Sequence, residues 1–382
     1  MRVETACSSA ELRGEDQNRL LRGRDGSPSA YGASRRNRAP GGLRPGTVVG
    51  GARTAASVRN PREESAVESR SGVLGTGHTR AKFILMGEHS VVYGRPAIAL
   101  PLPALSMDVE ILRSPGEARI ESSLFSGLLS ETPDQLAGPL AAIEAAGEAF
   151  AVPRRDLSVV IRSSIPAERG LGSSAAAAGA LVHAFADVAG RALSDREHLD
   201  LVQVAERVAH GTPSGLDAVA TNSRVPVMFR SGEASPLPLT LEASFVIADT
   251  GERGRTRDAV AAVRSVHDAR PRWATARIDR LGELAEGAAD DLAQGSADRL
   301  GQRMSEAHGL LSDLGVTSGR LDDLVAAAAA AGAAGAKLTG GGRGGCIVAL
   351  VATSGEASAV SAALREAGAH ATWTYDTMVP VA

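Results

Sequence analysis

The chain has 382 residues, 43% of them hydrophobic and 22% charged, with a formal net charge of −3. That length suffices for two domains with cores of their own, and so small a net charge offers no hold to nucleic acid or an anionic membrane. Cys7 and Cys346 lie far apart and outside any CxxC pair, which argues against a disulfide framework or zinc site and for a reducing cytosol. No apolar run approaches the roughly 20 residues of a bilayer span, and the N-terminus has no apolar signal region. A cytoplasmic protein without nucleic-acid or membrane partners is expected. Aromatic residues make up only 3%, so the cores must be built from Ala, Val, Leu and Ile.

Residues 1–72 stand apart. They hold thirteen Arg, eight acidic residues and no Lys, among scattered Gly, Pro and Ser. Such a segment buries too little apolar surface to offset its ordering entropy. It is expected to be disordered, or an extension read from a start codon too far upstream. A basic arm or targeting peptide is the other reading, but acidic residues interrupt the basic ones and no amphipathic helix is visible.

From Val73 the pattern is globular. Apolar or alternating runs predict strands over 83–86, 97–100, 105–112 and 157–161. Helices are predicted over 139–150, from Ser174 through Phe185, and from a capping box of Ser194 and Glu197. The last carries Leu199, Val202, Ala205 and Val208 and ends at Gly211. A buried strand over 245–248, helices over 256–267, 277–292 and 321–331, and a strand over 346–351 complete the chain. The mixed order of elements predicts an α+β protein. A boundary near 231–238 divides it into domains spanning 73–232 and 233–382.

Four stretches carry polar chemistry. Gly170-Leu171-Gly172-Ser173-Ser174 joins a strand to a helix, where glycines admit a ligand and a helix N-terminus attracts phosphate. It is neither a Walker A loop nor a dinucleotide G-x-G-x-x-G, and alone it reads equally well as a cap and packing device. Lys82 enters the apolar run 83–86, which leads to Gly87-Glu88-His89-Ser90; alone it reads as a strand-end lysine reaching for solvent. Glu206 and Asp217 flank a Pro-Ser-Gly turn, where a surface ion pair and a helix cap are the plain alternatives. Finally, Lys337-Leu338-Thr339-Gly340-Gly341-Gly342-Arg343-Gly344-Gly345 has more glycine than a flexible turn needs. A backbone that must approach another backbone or a phosphate would require it.

Together, from about Thr76 to the C-terminus, these stretches resemble the motifs of the GHMP kinase superfamily. Pro166 with 170–174 is similar to its nucleotide loop, and 337–345 to its third motif. Lys82 with 87–94, His210 to Asp217, and Ile247-Ala248-Asp249-Thr250-Gly251 with Thr256-Arg257 resemble the mevalonate kinase family. Glu168-Arg169 resemble its bacterial branch. Thr79 departs from the usual Ala, and the N-terminal tail has no counterpart.

The resemblance implies a two-domain fold: an N-terminal domain like domain 2 of ribosomal protein S5, then a ferredoxin-like C-terminal domain. It implies ATP-dependent phosphorylation of the primary hydroxyl of mevalonate, with Mg²⁺. Asp217 would act as base and Lys82 as charge partner. Ser163, Pro166, Arg169, Gly170, Leu171, Gly172, Ser173, Ser174, Gly341 and Gly342 would hold ATP. Ser174 and Glu206 would hold the metal, and Glu88, His89 and Thr256 the mevalonate. The family is often homodimeric.

Overall fold

The computed structural model describes residues 72–211 and 213–379. Apart from Gly72, the segment expected to be disordered lies outside the described residues.

The first sheet has seven strands. β1 (Val73–Met86) and β2 (Ala97–Glu117) run antiparallel, with Val73 opposite Leu112 and Met86 opposite Ile98. Three short strands were expected where these two long ones stand. Along the first half of β1 the buried positions are Gly75, Gly77 and Thr79, with Thr76 and His78 exposed. Such small residues alternate in burial without alternating in hydrophobicity. In β2, Pro101 and Pro103 suggest a break, yet a register shift between Arg80 and Ala81 lets residues 103–105 bulge out and the strand continue. β5 (Arg155–Ser163) pairs with the far half of β2, and β6 (Val227–Arg230) with its beginning. β3 (Arg119–Glu121) and β4 (Ser126–Leu128) form one edge, and β7 (Glu233–Pro236) the other. The division expected at 232/233 thus falls inside the β6–β7 hairpin, and the first sheet continues to Pro236.

Helix α1 (Ala137–Ala149) and helix α3 (Asp195–His210) pack on α2 (Ser173–Val188), which lies on β1. A short helix α4 (Leu216–Asn222) follows. The Ser194–Glu197 capping box forms with both of its bonds, and Gly211, at φ 81°, ends α3 as expected. The buried face of α3 is His198, Val202, Ala205 and Glu206; Val208 falls off that face and is exposed.

The second sheet orders its strands β11 (Ala371–Asp376), β8 (Ser244–Asp249), β10 (Cys346–Val351) and β9 (Gly335–Thr339), antiparallel throughout. Between β8 and β9 come α5 (Thr256–Ala269), α6 (Pro271–Gln294), α7 (Ala297–Asp313) and α8 (Gly319–Ala330). Helix α9 (Ser354–Glu366) joins β10 to β11. This is the ferredoxin-like arrangement that the resemblance implied. Helices α7 and α9 were not anticipated.

The two sheets meet at aromatic residues. The Phe83 ring of β1 lies 5.7 Å from Phe245 of β8 and 5.9 Å from Tyr375 of β11. In so aromatic-poor a chain, three large side chains, each burying about 150–250 Å², are concentrated where the sheets join. Nearby, the Thr339 hydroxyl both accepts from Ile84 N–H and donates to Ile84 C=O, at 2.9 Å each, fastening the end of β9 to β1. Among the described residues no helix is long and apolar enough to cross a membrane.

Candidate active site

The site gathers around the N-terminus of α2. Gly172, at φ 79°, precedes the helix, and no side chain among the described residues caps it. Its first-turn N–H groups and positive dipole end are therefore available to an anion. Gly172 is required for space as well as for conformation. A Cβ there would lie 2.9 Å from Thr221 and 3.1 Å from the Lys82 side chain.

Lys82 is 1% exposed, so it is no snorkelling strand end. Its Nζ donates to Gly170 C=O at 2.9 Å and pairs with Asp217 Oδ1 at 3.0 Å, which ties the glycine loop to α4. Asp217 is the second residue of α4, not its cap, and its side chain is 40% exposed. One end of the pair is thus sealed and the other open to a reactant.

Ser174 Oγ donates to Glu206 Oε1 at 2.6 Å. Glu206 is buried at 4% exposure, which excludes a surface ion pair, and His210 stands 3.9 Å from its other oxygen. Burial pushes the Glu206 carboxyl above the usual range; the Ser174 hydrogen bond opposes this and the negative charge of Asp217 adds to it. A cation beside it would relieve that penalty.

The glycine-rich stretch 340–345 supports the loop backbone to backbone. A Cβ on Gly340 would sit 2.8 Å from Gly170 Cα, so the two chains touch where no side chain fits. Arg169, expected at the nucleotide, has its guanidinium on Asp249 at 2.9 Å and on Gly251 C=O at 3.1 Å, fastening the loop to the end of β8. Ser163 bonds within its own turn, to Ile165.

The expected substrate residues come together at Gly341. His89 Nε2 donates to Gly341 C=O at 2.9 Å, and Thr256 lies against Gly341. Burial holds the His89 pKa down to about 4, so the ring is neutral, with its lone pair on Nδ1. Glu88 is 1% exposed and pairs with Lys337, a residue quoted in the third motif but given no role. Its signal was present in the sequence: Ala336-Lys337-Leu338 places a lysine inside an apolar strand, as Ala81-Lys82-Phe83 does.

Residues 139–223 match the GHMP kinases N terminal domain, and residues 288–370 the GHMP kinases C terminal domain. The fold and the glycine loop agree with that class of kinase. Over 291 residues the chain is 34% identical to the mevalonate kinase of Thermococcus gammatolerans, covering 71% of this chain and 87% of the relative. It is also 34% identical to that of Pyrococcus horikoshii, over 75% of this chain and 91% of the relative. The crystal structure of L. major mevalonate kinase in complex with R-mevalonate superposes with a TM-score of 0.69 at 26% identity, over 79% of this chain and 96% of that one. The chain belongs to the mevalonate kinase family of the GHMP kinases.

Proposed function

We propose that the protein transfers the γ-phosphate of ATP to the primary hydroxyl of mevalonate, giving 5-phosphomevalonate and ADP. The observation that carries this is the Lys82–Asp217 pair, bonded through Lys82 to the glycine loop itself. Phosphoryl transfer has a loose transition state, so positioning and charge neutralisation do most of the work. The N–H groups at the start of α2 receive the phosphates. Asp217, exposed on one side, accepts the proton as the substrate oxygen bonds to phosphorus and the bond to ADP breaks. Lys82 holds Asp217 toward the loop and offsets negative charge at the transferred group.

Among the described residues no cluster of three or more His, Cys, Asp or Glu could hold a metal by itself. That fits Mg²⁺, which takes one or two protein oxygens and completes its shell with phosphates and water. Ser174 and Glu206, hard oxygen donors 2.6 Å apart, are the residues that would hold it. When bound, it neutralises phosphate charge. Glu88, His89 and Thr256 form the mevalonate side of the site.

The test is ADP release with ATP and Mg²⁺ against mevalonate, phosphomevalonate, homoserine and galactose. Turnover with mevalonate alone supports the reading, whereas turnover with another alcohol and not with mevalonate overturns the substrate.

A further inference from the structure

The whole sequence contains two lysines among forty-one Lys and Arg residues. Both are fully buried, and both pair with a carboxylate. Every other cationic side chain of that kind is arginine, so lysine persists only where a compact ammonium on a slim stem is wanted. Lys82 has its place in the reaction proposed above. Lys337 does not.

Lys337 lies in the middle of β9, all five residues of which are buried. It reaches across to Glu88 of the first domain, and it also donates to Leu338 C=O at 2.7 Å. A sealed ion pair is a poor device for stability alone, since apolar side chains of similar volume hold an interface as well or better. Glu88, moreover, is only half satisfied. Its Oε1 takes the ammonium, while the equally buried Oε2 has no hydrogen-bond partner among the described residues. Orphaned buried carboxylate oxygens are rare and call for a missing partner.

The surroundings say which partner. Glu88 precedes His89, which is held at φ 61° against Gly341, the glycine that Thr256 touches. Glu88 thus adjoins, through His89, the residues assigned to the alcohol side of the site.

We propose that Lys337 is a positioning residue: it anchors Glu88 through Oε1 and so presents Oε2 to a hydroxyl of the alcohol substrate. Oε2 is closed to solvent, so a hydroxyl can reach it only if the turn carrying His89 shifts. This rests on the reading that Glu88 and His89 face the mevalonate.

Kinetics and calorimetric mevalonate binding on Glu88→Gln, Lys337→Met and the double variant test it. The double variant removes both charges at similar volume and remains informative where a single variant fails to fold. Losing one hydrogen bond to a charged group corresponds to roughly ten-fold or more in affinity. The double variant is expected to keep its Tm within a few degrees and its KM for ATP within about two-fold. Its KM and Kd for mevalonate rise about ten-fold or more. Wild-type mevalonate affinity in the double variant overturns the proposal and leaves the pair a clamp between sheets. A folded Lys337→Met protein with wild-type affinity, beside a weakened Glu88→Gln, overturns the role of Lys337 alone. Failure of the wild-type protein to bind mevalonate defeats the functional reading itself, and is seen before any variant is made.

Discussion

Two lysine–carboxylate pairs stand in this protein, and they differ at the acid. Each lysine sits inside a strand, buried, directly after an alanine. Asp217, the partner of Lys82, is 40% exposed near the start of a short helix. Glu88, the partner of Lys337, has a wholly buried side chain. In the first pair the carboxylate can meet a reactant and accept its proton, while its lysine cannot wander. In the second, neither charge can exchange with solvent, burial pushes the Glu88 carboxyl up and the Lys337 ammonium down, and their mutual attraction opposes both shifts. On the roles proposed above, a lysine–carboxylate pair serves chemistry or geometry according to which side water can reach.

Asp217→Asn would break the comparison most sharply. It keeps the shape but loses the base, and kcat is expected to fall by roughly 10³–10⁴-fold with ATP affinity intact. Near-normal turnover would remove Asp217 from the reaction. Next in size, Lys337→Met strands a buried carboxylate and is expected to cost about 3–5 kcal/mol of stability, read by denaturant unfolding; a loss below 1 kcal/mol means that water reaches Glu88. Lys82→Met leaves a half-solvated acid behind, so the fold survives, and kcat drops by about 10²–10³-fold. If instead it unfolds the protein while Lys337→Met does not, the contrast between the pairs is reversed. Smallest is Arg196→Ala on α3, which removes a fully solvated ion pair with Asp200 and should cost no more than about 0.5 kcal/mol by the same unfolding measurement.

What could be read in advance followed the range of the interaction. The glycine loop, the Ser194–Glu197 cap and the C-terminal end of α3 at Gly211 are set by neighbours a few residues away, and they stand where local chemistry puts them. The fully buried strand β8 likewise reads as an unbroken apolar run. The first half of β1 was invisible because its buried side is Gly and Thr, and β2 looked broken because Pro103 sits in a bulge that only the pairing reveals. Roles for Lys82, Glu206 and Asp217 came from spacing within recognised motifs. The Glu88–Lys337 contact spans 249 residues, and no local pattern announces a partner that far away. Arg169 likewise has a partner that its motif does not announce, since it fastens the loop to Asp249.

With its two ε-amines shut inside the fold, the native protein offers acylating reagents no lysine to modify. A lysine-specific protease likewise has two cleavage points, both hidden until the sheets part. The rate at which it cuts after Lys82 or Lys337 is then a direct clock for opening of the interior, and a ligand that binds only the folded state should slow that clock.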